Sequence, residues 1–126
     1  MSEAIYIVGG ARTPMGGLMG DLASVSAPQL GSTAIKAAVE RANVDAAVID
    51  EVFMGCVLPA GLKQCPARQA ARYAGVPDHV GAVTVNKACG SGMQATIFGI
   101  DSIRAGTNSI AIAGGLESMS NAPHLM

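Results

Sequence analysis

The residue with the strongest claim to chemistry is Cys89. It lies in the run Asn86-Lys87-Ala88-Cys89-Gly90-Ser91-Gly92, between a short β-branched run, Ala82–Val85, and a long apolar stretch. That order predicts a strand, a tight turn carrying Cys89, and then a helix. Glycines on either side of Ser91 permit unusual torsions and close backbone approach. A helix start offers unpaired N–H groups and a partial positive charge. Both favour a thiolate over a thiol, and the same N–H groups could hold the oxyanion of a tetrahedral intermediate. The chemistry such a site serves is acyl transfer through a thioester. Against this stands the habit of free cysteine to be buried as a small hydrophobe.

The other candidates are weaker. Cys56 sits inside the apolar run Phe53–Val57 and reads as packing, and Cys65, before Pro66 at a helix start, is assigned no role. Three cysteines with no CxxC and no Cys/His cluster argue against a zinc site or a disulfide framework. They point instead to a reducing compartment, here the cytoplasm. His79, in the loop Pro77-Asp78-His79, and His124, beside Pro123, read as solvated, so the nucleophile lacks an obvious base. A rival reading uses the same turn. Gly90-Ser91-Gly92-Met93-Gln94-Ala95 fits the dinucleotide fingerprint G-x-G-x-x-A, with Glu117 as the acid that would hold a ribose. The fit is loose, because four residues separate the strand from Gly90.

The elements that must position Cys89 follow from the apolar pattern. Four short runs read as strands: Ala4–Val8, Glu51–Leu58, Ala82–Val85 and Ser109–Ala113. Each is continuous rather than alternating, which suits strands covered on both faces of a parallel sheet. Helices are expected from Ser26, as cap, to about Asn43, from Pro66 to Ala74 before Gly75 and Pro77, and from Ser91 to Ala105 before Gly106. The order β-α-β-α-β-α-β defines an α/β layered fold. Gly9–Val25 is the one long irregular stretch. In the third helix Met93, Ala95, Ile97, Ile100 and Ile103 spread around the barrel, so this helix should be buried on most faces. One sheet covers only one side of it, so more chain or another subunit is expected to cover the rest.

Composition bounds the remaining classes. The chain has 126 residues, half of them hydrophobic and 13% charged, which excludes a disordered segment and fits one domain. With 8 basic and 9 acidic residues, a net charge of −1 leaves no electrostatic footprint for nucleic acid. No apolar run approaches the ~20 residues of a membrane span, and no secretory leader is visible at the start.

Four motifs carry a family resemblance across essentially the whole chain. Val85-Asn86-Lys87-Ala88-Cys89-Gly90-Ser91-Gly92-Met93 resembles the nucleophile segment of thiolases. Ala11-Arg12-Thr13-Pro14, Gln64–Ala70 and Ala113–Pro123 resemble other thiolase segments in the same order. The match is to the acetyl-CoA acetyltransferase branch. The resemblance implies a thiolase-like layered αβα half, part of a five-layered αβαβα fold, with residues 1–126 as its N-terminal half. It implies that Cys89 takes an acetyl group from one acetyl-CoA, that a second acetyl-CoA condenses with it to acetoacetyl-CoA, and that the backbone N–H of Cys89 joins the oxyanion hole. Coenzyme A thioesters are then substrates, with no cofactor and no metal. A homo-oligomer is implied, a dimer or a homotetramer, with the strand around Val83-Thr84-Val85 pairing across the dimer.

The sequence also departs from the family pattern. The Gly-His-Pro and late Cys-x-Gly-Gly-Gly motifs are absent, and so is the asparagine that positions a water. The loop domain would begin about where Met126 stands, and Cys65 occupies a position where relatives commonly carry Asn. The expectation is therefore a nucleophile half that works only with the remaining thiolase half, in the same or a second polypeptide. The alternatives are a non-catalytic thiolase-like interaction subunit and the dinucleotide module.

Overall fold

The computed structural model describes residues 4–126. Its centre is a parallel sheet of β1 (Glu51–Gly55), β2 (Gly81–Val85) and β3 (Ala111–Gly115), in the order β2-β1-β3. Glu51 aligns with Gly81 on one side and with Ala111 on the other. Helices α1 (Ala27–Ala42) and α2 (Pro66–Tyr73) pack on each other, and α3 (Ser91–Arg104) packs on β1 and β3.

The period-2 pleat of β1 assigns the two faces. Val52 and Met54 join Ala27, Ile35, Ala67, Ala70, Ala71 and Leu116 in the main core, under α1 and α2. Phe53 points the other way, into a smaller cluster with Val85 and Ala95 of α3. The result is a three-layer α/β/α arrangement. β1 to β2 crosses through α2 in one direction, and β2 to β3 crosses back over β1 through α3. A single crossover hand applied in opposite directions demands opposite faces, and α2 and α3 occupy them.

Helix boundaries follow local chemistry. Ser26 caps α1 in a reciprocal box: its hydroxyl accepts the Gln29 N–H at 3.4 Å, and the Gln29 side chain accepts the Ser26 N–H at 3.1 Å. Pro28 sits in the first turn, and Asn43 ends the helix in a left-handed conformation. Gly75 and Gly106 take positive φ after α2 and α3, as their placement in the sequence requires.

Two strands differ from expectation for reasons of backbone hydrogen bonding. The run Glu51–Leu58 leaves the sheet at Gly55, because the Val57 and Leu58 N–H groups turn to the Glu117 carboxylate. The run from Ser109 starts its strand only at Ala111, because the Asp50 carboxylate accepts the Ser109 and Ile110 N–H groups at 2.6 and 3.0 Å.

One expected strand does not form. Ala4–Val8 is irregular, and Tyr6, Ile7 and Val8 are 78%, 88% and 66% exposed. Its composition favours a strand, but a strand exists through its ladder partner, and none of the described residues pairs with it. Gly9 lies instead against Ala38 and Ala42 of α1, so close that a Cβ there would sit 2.8 Å from the Ala38 carbonyl oxygen.

Helix α3 is open on its outer side. Ser91, Ala95 and Gly99 are buried against the sheet, whereas Met93, Ile97 and Phe98 are exposed. The all-round apolar pattern is therefore half satisfied within this chain.

Candidate active site

Cys89 stands at the carboxyl edge of the sheet, where open α/β sheets place their ligand crevices. Its side chain is exposed, whereas Cys56 is buried and Cys65 half-buried; all three are free thiols. A cleft of about 260 Å³ collects Cys89 with Ala88, Ser91 and Gly92 of the turn, Gly55 and Val57 after β1, and Gly115, Leu116 and Glu117 after β3.

Glycine makes this convergence possible. A Cβ on Gly55 would lie 2.5 Å from the Ser91 carbonyl carbon and 2.6 Å from the Gly92 nitrogen. Gly115 approaches the Gly92 Cα at the same crossing. Only bare backbone at the end of β1 lets the first turn of α3 settle onto the sheet, which brings Cys89 over the strand ends.

The turn itself is held in a strained shape. Ala88 has φ of 46°, a left-handed conformation unusual for a residue with a Cβ. Two side chains hold it there. The Asn86 side-chain oxygen accepts the Ala88 N–H at 3.1 Å. The Ser91 hydroxyl accepts the Lys87 N–H at 2.8 Å and donates to the Ala88 carbonyl at 2.5 Å. Lys87 is drawn to Gln94 at 2.8 Å. Among the described residues the N–H groups of Cys89, Gly92 and Met93 have no protein acceptor, so donors remain free beside the exposed sulfur.

The other sequence candidates fall into structural roles. Cys56 is 1% exposed, and its thiol is pushed up to about 11, first by burial and then by the Glu117 carboxylate. It stays a thiol and lies 3.8 Å from Glu117 Oε1. Cys65 takes φ of 39°, a conformation that asparagine tolerates better than most residues. Its Sγ rests 3.4 Å from the Thr84 hydroxyl, and that hydroxyl accepts the Ala67 N–H at 3.1 Å, tying the first turn of α2 to β2. His79 and His124 are exposed and do not line the cleft. Among the described residues no cluster of three or more His, Cys, Asp or Glu could hold a metal.

Glu117 is the residue whose role the sequence left open. The dinucleotide reading would give it to a ribose, but both its oxygens are engaged. Oε2 accepts the Val57 N–H at 2.8 Å and Oε1 the Leu58 N–H at 2.9 Å. Its position after Gly114-Gly115 was the available signal, since a strand end next to a paired strand end is where loose N–H groups gather.

The fold and the cleft define an α/β domain with a cysteine poised at the start of a helix. The chain matches the family described as "Thiolase, N-terminal domain" over residues 5–126 and belongs to the thiolase family. Acetyl-CoA acetyltransferase 2 of Arabidopsis thaliana is 56% identical over 119 residues, covering 94% of this chain and 30% of that protein. An acetyl-CoA acetyltransferase of Schizosaccharomyces pombe is 54% identical over 124 residues, covering 98% of this chain and 31% of that protein. The crystal structure of the Acat5 thiolase from Ascaris suum in complex with coenzyme A matches with a TM-score of 0.94 at 40% identity, covering 96% of this chain and 32% of that one. The chain therefore spans about a third of the length of the relatives it matches.

Proposed function

We propose that this chain is the nucleophile half of an acetyl-CoA acetyltransferase, working together with the remaining part of a thiolase subunit. The observation that carries the reading is Cys89: an exposed thiol at the start of α3, inside a cleft, beside free backbone donors. The names of the relatives support acetyl-CoA as substrate, and the coenzyme A complex of a structural neighbour supports a CoA thioester.

The Cys89 sulfur attacks the acetyl carbonyl of acetyl-CoA. A new carbon–sulfur bond forms, the bond to coenzyme A breaks, and coenzyme A leaves with a proton. A base from the remaining half takes a proton from the methyl group of a second acetyl-CoA. The resulting carbanion attacks acetyl-Cys89, the bond to the sulfur breaks, and acetoacetyl-CoA leaves while the Cys89 thiolate recovers the proton held by the base; thiolysis is the reverse. The N–H groups at the turn hold the negative oxygen of each tetrahedral intermediate. The reaction uses thioesters alone and requires no cofactor or metal.

The open face of α3 and the unpaired run Ala4–Val8 support docking of the remaining half. The free outer edge of β2, with Val83 exposed, supports pairing with a second copy in a dimer or homotetramer. Three free thiols support a reducing compartment, the cytoplasm. No helix of the described residues is long and apolar enough to cross a membrane. The test is Cys89→Ser in the full-length subunit: condensation and thiolysis should both collapse while the assembly keeps its size. Retained turnover within tenfold of the unmutated enzyme would overturn the reading.

A further inference from the structure

We infer that Glu117 is a positioning residue for acyl transfer, fixing the wall of the cleft that faces the Cys89 turn. The proposal rests on Cys89 as nucleophile and adds a residue that acts through the backbone rather than on the substrate.

β1 leaves the sheet after Gly55. The Cys56 N–H still pairs with the Val85 carbonyl at 2.9 Å. Beyond it Val57 and Leu58 have no neighbouring strand, and the Glu117 carboxylate takes both N–H groups, one on each oxygen. The buried Cys56 thiol approaches the same Oε1. Glu117 is itself anchored: the preceding Leu116 N–H pairs with the Gly55 carbonyl at 2.9 Å, and the Leu116 side chain is 5% exposed, packed against Gly31 of α1.

The segment so fixed is tied to the nucleophile turn. Asn86 donates from its side-chain nitrogen to the Val57 carbonyl at 3.2 Å, while its oxygen accepts the Ala88 N–H. A continuous path thus runs from Glu117 through residue 57 and Asn86 to the strained Ala88, next to Cys89. Since Val57 and Cys89 line the same cleft, losing one Glu117 acceptor would shift the wall against which an acyl group must align. Both carboxylate oxygens accept main-chain donors.

The experiment compares two reactions of Cys89 in the full-length enzyme and in Glu117→Gln. The substitution keeps the shape but turns one acceptor oxygen into an amide nitrogen facing an N–H group. Acetylation of Cys89 by acetyl-CoA in a single turnover requires an aligned carbonyl; alkylation by iodoacetamide requires an exposed thiolate but no aligned acyl group. We expect acetylation and kcat to fall at least tenfold (about 1.4 kcal/mol of barrier), with KM and the alkylation rate within twofold of the unmutated enzyme. Unchanged acetylation, or an equal loss in both reactions, overturns the positioning role. Absence of acetyl-Cys89 in the unmutated enzyme overturns the nucleophile reading itself, which separates the two failures.

Discussion

At the scale of single residues, two cysteines in the same chain are sorted by environment. Cys89 is exposed at a turn, whereas Cys56 is sealed under α1 and α2 beside a carboxylate. The pH dependence of stability reads out the second. The folded Cys56 thiol is raised from 9.0 to about 11, so the folded state holds its proton more tightly than the unfolded chain does. Its contribution is complete below pH 9 and is lost as pH rises from 9 towards 11. The loss follows from the difference in proton binding between the folded and unfolded states. Denaturant midpoints should therefore fall more steeply between pH 9 and 10.5 in the unmutated protein than in Cys56→Ala. Parallel slopes would show that the thiol does not sense its burial. The role proposed for Cys89 was legible because glycine, serine and a following helix surround it. The role of Glu117 was not, because it depends on two N–H groups sixty residues away that become neighbours only through the parallel register of β1 and β3.

Individual elements meet through small residues and polar ties. The crossing of α3 over β1 depends on Gly55, where any side chain collides with backbone that cannot swing aside. Gly55→Ala should cost about 2 kcal/mol or more of stability, in the range of overpacked cores, and lower the acetylation rate of Cys89 by displacing the turn. An unchanged melting temperature would refute the close crossing. Asp50 plays a matching part at the start of β3. Its carboxyl is held below the usual range by the Ile110 and then the Ser109 N–H groups. Its stabilisation is thus present above the unfolded value and lost as pH falls through the lower folded one. The stability gap between the unmutated protein and Asp50→Asn should therefore narrow below about pH 4; a constant gap would contradict it. Helix limits were readable from caps and terminal glycines, which act within a few residues. Strand limits were not, because Asp50 and Glu117 decide them from other parts of the chain.

The whole molecule presents a finished sheet core and unfinished outer surfaces. The sequence pattern shows that α3 lacks cover, since Met93, Ala95, Ile97, Ile100 and Ile103 share no single stripe. It did not anticipate that Ala4–Val8 would stand unpaired, because strand propensity says nothing about whether a partner is present. Exposed apolar surface of this kind marks an interaction site. The 126-residue chain by itself should bind a hydrophobic dye strongly, and adding the remaining part of a thiolase subunit should suppress that binding. Undiminished dye binding would mean that something else covers these faces.

The proposed intermediate is covalent. Full-length enzyme mixed with acetyl-CoA, quenched in acid and digested, should carry an acetyl group on the peptide containing Cys89. A label on any other peptide, or on none, would contradict it.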